Sequence, residues 1–86
     1  MRSANLVLVL CRGETESSRA GFAVSRKVGN AVHRNRVKRW LREALRAQGA
    51  PRQGPWDLVV IAQPKAADAG LARLADEIAT LWGRVP

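Results

Sequence analysis

Most of the net charge of this chain lies in one segment, residues 26–46, and that segment constrains how the chain can fold. It contains eight cationic residues and a single acidic residue, Glu43, which gives it a net charge of +7, whereas the whole 86-residue chain has a net charge of +8. Its apolar residues recur at spacings of three and four, which predicts an amphipathic helix from about Ala31 to Ala47. The fold must bury one face of this helix and leave a cationic face in water, which indicates a polyanionic partner.

The predicted helix separates its apolar and cationic residues into two arcs. The first arc is predicted to face a β-sheet and consists of His33, Val37, Trp40, Leu41, Ala44 and Leu45. The opposite arc consists of Asn35, Lys38, Arg39, Arg42 and Arg46, with Arg34 and Arg36 at its margins. Like charges at positions 34, 38, 42 and 46 repel one another at a cost of about 0.2–0.5 kcal/mol per pair, and cations in the first half of a helix oppose its macrodipole. A polyanion that neutralises these charges on binding explains why the helix tolerates them.

The residues at both ends of this helix predict its boundaries. Asn30 is suited to cap the N-terminus, because its side chain accepts a hydrogen bond from a backbone N–H that has no partner within the helix. Gly49 is a candidate for the C-terminal cap, and Pro51 cannot continue a helix. The helix is therefore expected to occupy the interval between Asn30 and Gly49.

The remaining sequence predicts a small α+β fold, with helices packed on one short mixed sheet, in a single domain of residues 1–86. Short apolar runs predict strands at about Asn5–Arg12, Ala20–Ser25 and Trp56–Ala62. A second amphipathic period predicts a helix at about Ala66–Trp82. The first strand is expected to be buried on both faces, and the first two strands are expected to form an antiparallel hairpin with a long connection.

Composition excludes several classes of site. One cysteine and one histidine exclude an internal disulfide framework and a zinc site that the chain builds from Cys and His alone. No apolar run approaches the roughly 20 residues of a membrane span, so we expect a cytoplasmic protein. The acidic residues are scattered along the sequence, which argues against a protein nuclease that holds metal ions between carboxylates.

Several single residues have structural interpretations. His33 is predicted to be a packed core residue rather than a general base, and Cys11 is predicted to be a buried, inert thiol. Trp40 and Trp82 fit the core stripes of the two helices. Trp56 lies beside a loop and is either an anchor at the edge of a strand or a stacking platform, and the structural interpretation is the preferred one.

The central segment resembles the signature of a known family. Residues 25–43 read SRKVGNAVHRNRVKRWLRE, and this run is similar to the signature of the bacterial ribonuclease P protein subunit. The name-giving motif of that family matches Arg34-Asn35-Arg36, and the match includes residues 29–32 before it and Lys38, Arg39 and Arg42 after it. The run from residue 56 to residue 64 resembles the following strand of the family.

The resemblance implies an RNA-binding subunit that assists a catalytic RNA in removing the 5′ leader from precursor tRNA. In such an endoribonuclease the RNA and its Mg²⁺ ions perform the hydrolysis, so no catalytic residue, metal ligand or cofactor is expected on the protein alone. The resemblance also implies a left-handed β-α-β crossover. The expected RNA-binding residues are Arg26, Lys27, Asn30, Arg34, Asn35, Arg36, Lys38, Arg39, Arg42 and Arg46.

The resemblance further implies that these residues serve two RNA surfaces. Those that would chiefly face the catalytic RNA are Arg34, Arg36 and Arg39. Those that would lie where the helix and sheet meet the path of the leader are Asn35, Lys38 and Arg42. The sheet side of that path would be formed by Phe22, Val24 and Ser25.

The start of the sequence departs from the family pattern. Family members carry an N-terminal helix, whose aromatic residues form one wall of the leader cleft, before the strand that matches Leu6–Leu10. Here Met1 precedes that strand by a few residues, and Arg2 and Ser3 resemble the lead-out from the helix. We therefore expect that the start codon is placed too late, the alternative being a true truncation. Without this helix, one sheet face is expected to be more exposed.

Two other functions fit parts of the pattern. A generic RNA-binding or ribosomal-type module would share the basic helix, but it would not share the ordered context of Arg34-Asn35-Arg36. A basic amphipathic helix that binds anionic membranes would have to insert Trp40 and Leu41 into lipid.

Overall fold

The computed structural model describes residues 1–14, 16–49 and 54–85. Its elements follow in the order β1 (Leu6–Arg12), β2 (Arg19–Val24), a 3₁₀ turn (Arg26–Val28), α1 (Ala31–Ala47), β3 (Trp56–Ala62) and α2 (Ala66–Trp82). Both predicted helices and the third predicted strand have the predicted bounds, and the first two strands differ from prediction by one residue. α2 is not the continuous helix that was predicted, because Gly70 has non-helical dihedral angles (φ 81°, ψ 167°) and kinks it. Pro51, which is predicted to follow the end of α1, lies outside the described residues.

The central strand of the sheet is β3, which is the last strand in the sequence. β1 pairs with β3 in antiparallel orientation, from Leu6 opposite Ala62 to Arg12 opposite Trp56, and β2 pairs with β3 in parallel. The predicted hairpin of β1 and β2 is therefore wrong. β3 is rich in β-branched residues, which favour a strand paired on both edges, and α1 supplies the long crossover that a parallel pair requires.

The helices cover one face of this sheet and leave the other face open. Leu8 and Val60 on the covered face are 2% and 0% exposed, whereas Val9 and Val59 on the opposite face are 46% and 40% exposed. The expectation that β1 is buried on both faces is therefore wrong. Successive residues of a strand point to opposite faces, so Cys11 lies on the open face while Leu8 and Arg12 lie on the covered face. Cys11 is exposed, and the prediction of a buried thiol is therefore wrong for the same reason.

The two helices pack on each other as well as on the sheet. α1 contacts α2 more extensively than it contacts β2, while α2 also contacts β1. The core-facing residues of α1 are Val37, Trp40, Leu41, Ala44 and Leu45. Trp82 of α2 packs against the same core, as predicted. The apolar arc of α1, which is predicted to face the sheet, therefore packs into a core to which both the sheet and α2 contribute residues.

A buried carboxylate joins α2 to the segment that precedes β1. Glu77 is 6% exposed, and its carboxylate accepts hydrogen bonds from the Asn5 backbone N–H (2.8 Å), the Asn5 side-chain amide (2.6 Å) and the Ser3 hydroxyl. Burial raises the pKa of Glu77, but the hydrogen bonds from Asn5 and Ser3 and the charge of Arg73 together outweigh burial and lower the pKa below its ordinary value of 4.5. The ionised carboxylate therefore contributes to the folded structure.

Candidate nucleic-acid interface

The turn that leads into α1 is held by side-chain caps. The Ser25 hydroxyl accepts a hydrogen bond from the Lys27 N–H at 3.1 Å, and Asn30 Oδ1 accepts one from the His33 N–H at 3.1 Å. Gly29 between them has φ of 151°, and a Cβ there would lie 3.0 Å from the Cβ of His33, so a larger residue would be strained. The prediction that Asn30 caps α1 is confirmed, and this fixed turn sets where the cationic helix begins.

His33 belongs to this cap and not to the core. Its side chain is exposed, and its Nδ1 lies 3.0 Å from Asn30 Oδ1. The prediction of a packed core histidine is therefore wrong. His33 is in the first turn of α1, and the buried residues of the helix begin one turn later, at Val37.

The predicted cationic face is present on α1. Its exposed residues are Asn35, Arg36, Arg39, Arg42 and Arg46, and its half-buried residues are Arg34 and Lys38. Arg26 and Lys27, in the turn before the helix, are also exposed. Within residues 1–14, 16–49 and 54–85, the ion pairs are Arg19–Asp57 and Arg73–Glu77. The cations of α1 therefore have no described carboxylate to neutralise them.

An open groove lies beside the C-terminal half of α1. Its volume is about 760 Å³, and its lining includes Phe22 and Leu58 of the sheet, Arg42 and Arg46 of α1, and Trp82 of α2. The Arg42 guanidinium carbon lies 5.7 Å from the centroid of the Phe22 ring, within the range of a cation–π contact. The groove thus combines an aromatic ring, which stacks on bases, with arginines, which bind phosphate.

The covered face of the sheet opens toward this groove. Along that face, the row of Leu8 and Val60 is almost completely buried, while Phe22 in the same row is half-buried. Beyond it, Ala20 is exposed, and the last row ends in an exposed Arg12 opposite a half-buried Trp56. The helices therefore cover one end of the face and leave its other end accessible.

The three predicted sheet residues separate on this surface. Phe22 lines the groove and contacts Arg42. Val24 is half-buried against the core, and Ser25 is exposed where it caps the 3₁₀ turn. The structure therefore brings Phe22 together with the helix cations at the groove, and it places Val24 and Ser25 beyond the groove lining at the end of β2.

The family profile described as Ribonuclease P matches residues 1–86, the whole of this chain. The chain belongs to the ribonuclease P family. It is similar to the ribonuclease P protein component of Dehalococcoides mccartyi, with 52% identity over 69 residues, which cover 80% of this chain and 56% of that protein. It is also similar to the corresponding protein of Nocardioides sp., with 47% identity over 76 residues, which cover 85% of this chain and 65% of that protein. It thus spans between about half and two thirds of the length of these relatives.

Solved ribonuclease P proteins have the same fold. The protein from Thermotoga maritima superposes with a TM-score of 0.86 at 27% identity, covering 100% of this chain and 82% of that one. The protein from Staphylococcus aureus superposes with a TM-score of 0.83 at 28% identity, covering 99% and 80%. The resemblance read from Arg34-Asn35-Arg36 and its context is confirmed, as is the α+β fold.

This ribonuclease P family member also has charged residues near the groove that the sequence did not single out. Arg19 donates to both carboxylate oxygens of Asp57, at 3.1 and 2.9 Å, and the hydrogen bond from Arg19 lowers the pKa of Asp57. Arg12 lies over Trp56, with 4.3 Å from the guanidinium carbon to the ring centroid. Neither pairing carries a sequence signal, because the partners are 38 and 44 positions apart and meet only when β3 inserts between β1 and β2.

Two further classes of feature were sought in this ribonuclease P family member. No group of three or more His, Cys, Asp or Glu residues in the described part of the chain is arranged to hold a metal ion. No helix in the described ranges is long and apolar enough to cross a membrane.

Proposed function

We propose that this chain is the RNA-binding protein subunit of ribonuclease P, which assists a catalytic RNA in removing the 5′ leader from precursor tRNA. In this assignment the RNA and its Mg²⁺ ions perform the hydrolysis, and the protein supplies binding surfaces in the cytoplasm. The assignment rests on family membership together with one observation. That observation is a cationic helix face that has no described carboxylate partner and that adjoins a groove lined in part by Phe22 and Trp82.

The two features suit two kinds of RNA contact. Exposed arginines bind phosphates through bidentate hydrogen bonds and increase affinity for any RNA backbone. A groove that contains Phe22 and Arg42 suits single-stranded RNA, because unpaired bases stack on aromatic rings and on guanidinium planes. A structured catalytic RNA and a single-stranded leader are therefore both compatible with one small protein.

The arrangement on α1 supports the proposed division between the two RNAs. At 100° per residue, Asn35 and Lys38 lie within about 40° of Arg42, so the three form one stripe along α1, and Arg42 at its C-terminal end lines the groove. Arg39 and Arg36 lie farther around the helix, at about 60° and 120° from Arg42. The stripe is thus assigned to the leader, and Arg36 and Arg39 are assigned to the catalytic RNA. Arg34 lies about 80° from Arg42 on the other side of the stripe, so its assignment to the catalytic RNA rests on the resemblance alone.

A reconstituted processing assay tests the function. Catalytic RNA and precursor tRNA are incubated at low Mg²⁺ with and without this chain, and release of the 5′ leader is measured. We expect the chain to stimulate cleavage, and we expect a variant with Lys65→Ala, which removes a cation at the opposite end of β3 from the groove, to stimulate as well as the wild type. Absence of stimulation by the wild-type chain would overturn the proposed function.

Separate substitutions test the division. Arg39→Ala is expected to weaken binding of the catalytic RNA, whereas Arg42→Ala is expected to weaken binding of precursor tRNA to the assembled complex more than it weakens assembly. Equal effects of both variants on both binding steps would contradict the division while leaving the proposed function in place.

The structure disfavours membrane binding by α1. Insertion into lipid requires Trp40 and Leu41 to face outward, but Leu41 is 0% exposed and Trp40 packs against the core. Exposing Leu41 would forfeit the burial of a full leucine side chain, at a cost of about 2 kcal/mol or more. Family membership likewise argues against a generic RNA-binding module.

A further inference from the structure

His33 meets Asn30 through two nitrogen atoms at the start of α1. The His33 backbone N–H donates to Asn30 Oδ1 at 3.1 Å, and the ring Nδ1 of His33 lies 3.0 Å from the same oxygen. Gly29 leaves room for the ring, because a Cβ on Gly29 would lie 3.3 Å from Nδ1. An N-terminal cap requires only the backbone contact, so the ring contact calls for a separate explanation.

The chemistry of these two contacts determines where the hydrogen atoms lie. A backbone N–H can only donate, so the atom of Asn30 that it meets is the amide oxygen and not the amide nitrogen. An amide oxygen can only accept, so the Nδ1 that faces it carries the hydrogen, and Nε2 is the unprotonated nitrogen of the neutral ring. Asn30 Oδ1 therefore accepts two hydrogen bonds from His33, one from the backbone and one from the ring.

Two donors on one oxygen fix the plane of the Asn30 amide. Hydrogen bonds to a carbonyl oxygen lie near the plane of the carbonyl group, along its two lone pairs, so donors on both lone pairs hold the amide in one orientation. Asn30 is exposed, and its amide nitrogen has no hydrogen-bond partner in the described part of the chain. Two N–H donors are therefore held in a fixed direction and remain available to a binding partner.

The charges around Asn30 favour a phosphate as that partner. Arg26 and Lys27 precede Asn30 in the 3₁₀ turn and are exposed, and Arg34 and Arg36 follow it in α1, half-buried and exposed respectively. The ion pairs of residues 1–14, 16–49 and 54–85 involve none of these four cations. A polyanion attracted by the cations brings phosphate oxygens to this turn, and such oxygens accept hydrogen bonds from N–H donors.

We propose that His33 is a positioning residue for RNA binding, which holds the Asn30 amide so that its nitrogen donates to a phosphate oxygen of the catalytic RNA. This inference rests on the proposed function, because Arg34 and Arg36, which follow Asn30, are assigned to the catalytic RNA. His33 acts through Asn30 and makes no RNA contact of its own. Its ring raises affinity because an amide that is already fixed loses less rotational freedom on binding.

A double-mutant cycle on the affinity for the catalytic RNA tests the inference. Asn30→Ser keeps a capping oxygen but removes the amide, and it is expected to weaken binding about fivefold. His33→Leu keeps the backbone N–H but removes the ring donor, and it is expected to weaken binding about threefold. The double variant should bind as Asn30→Ser does, because no amide remains to be positioned. Losses that multiply in the double variant would overturn the inference.

A conservative variant and two controls distinguish positioning from a change in the helix. His33→Gln has a side-chain N–H that can donate to the same oxygen, so it should recover most of the affinity lost in His33→Leu. The thermal midpoints of Asn30→Ser and His33→Leu should stay within about 3 °C of the wild type. The slope of log affinity against log salt should be unchanged in both, because a neutral amide releases no counterion. A shallower slope would show that the cations of α1 are displaced instead and would overturn the inference.

A spectroscopic readout on the protein alone separates this inference from the proposed function. A long-range ¹H–¹⁵N correlation spectrum identifies which imidazole nitrogen carries the hydrogen at about pH 8.5, where an imidazole is neutral. We expect the hydrogen on Nδ1 of His33. Hydrogen on Nε2 would overturn the inference whatever the processing assay shows. If the wild-type chain stimulates processing but His33→Leu binds the catalytic RNA equally well, the inference alone is wrong; if the wild-type chain does not stimulate processing, the proposed function is wrong, and hydrogen on Nδ1 leaves only the positioning of Asn30 in place.

Discussion

Helices α1 and α2 have the same length of 17 residues and pack on each other, yet they treat charge in opposite ways. α1 carries six cationic residues and one acidic residue, and all of them are exposed or half-buried. α2 carries three acidic residues and one cationic residue, and it buries one of the acidic ones, Glu77, in a set of hydrogen bonds. The charges of α1 oppose helix stability, whereas the charge of Glu77 supports the fold.

This difference separates the residues that serve stability from those to which binding is assigned. Removal of the Glu77 charge should destabilise the protein and leave the cationic face of α1 intact. Removal of an α1 charge should weaken RNA binding and leave stability unchanged or increased. Four variants or conditions test this separation.

The largest effect is expected from Glu77→Gln. An amide cannot accept the hydrogen bonds of the Asn5 N–H, the Asn5 side-chain amide and the Ser3 hydroxyl as a carboxylate does, so the free energy of unfolding should fall by about 3 kcal/mol. The thermal midpoint should fall by at least about 10 °C. Asp76→Asn, a matched loss of charge at an exposed position of α2, should have little effect in the same urea or thermal unfolding experiment. Equal stability of the two variants would contradict the role of Glu77.

The second effect is the dependence of this contribution on pH. The pKa of Glu77 in the folded protein lies below its ordinary value of 4.5, so the unfolded chain takes up the proton first as pH falls. The stabilisation is therefore complete above the unfolded pKa and is lost as pH falls through the folded pKa. Urea unfolding at several pH values should show a constant stability difference between wild type and Glu77→Gln near neutrality, and a smaller difference in acid. A difference that grew in acid would reverse the sign of this interpretation.

The third effect is on binding and is expected from Arg39→Ala. Loss of one phosphate contact should weaken the complex with the catalytic RNA about tenfold, or about 1.4 kcal/mol. The slope of log affinity against log salt should decrease in magnitude by about 0.7 to 0.9. Unfolding stability should stay within about 0.5 kcal/mol of wild type. An unchanged salt slope would show that Arg39 does not contact phosphate.

The smallest effect is expected from Lys38→Glu, which should increase stability and weaken RNA binding. A carboxylate at this position would attract Arg34 and Arg42, which are four residues away on either side. Stability should rise by about 0.5 to 1 kcal/mol, while binding of precursor tRNA should weaken. Lys38→Gln, which removes the repulsion without adding attraction, should give about half of the gain in stability. A loss of stability in Lys38→Glu would show that repulsion on α1 is not significant.

Much of the fold was predictable because its signals are local. The bounds of α1 follow from the cap at Asn30 and from an apolar period read over neighbouring turns. The cationic face follows from the same period. The same apolar period wrongly predicted that His33 is buried. His33 lies on the apolar arc, but at the end of a helix a side chain on that arc need not have a residue to pack against.

Part of the candidate site was also predictable. The resemblance around Arg34-Asn35-Arg36 identified the family. The structure places Phe22 beside Arg42 and Arg46 at one groove, and the roles of these residues and of the other helix cations in RNA binding remain a prediction. The roles of Val24 and Ser25 in a leader path remain a prediction, as does the handedness of the crossover from β2 to β3. The sequence singled out Trp56 as a strand anchor or a stacking platform, but it did not predict that Arg12 lies over the Trp56 ring.

The sequence by itself determined the two helices, the third strand, the N-terminal cap of α1 and the concentration of charge on one helix face. These features depend on residues within a few positions of one another, so local hydrogen bonding and periodicity are sufficient. Only the tertiary structure decided that β3 is the central strand, that one sheet face stays open, that Glu77 is bound by Asn5 and that Arg12 stacks on Trp56. These features join residues that are far apart in the sequence, such as 72 positions for Asn5 and Glu77. Their contacts depend on strand order and helix placement, which no local pattern specifies.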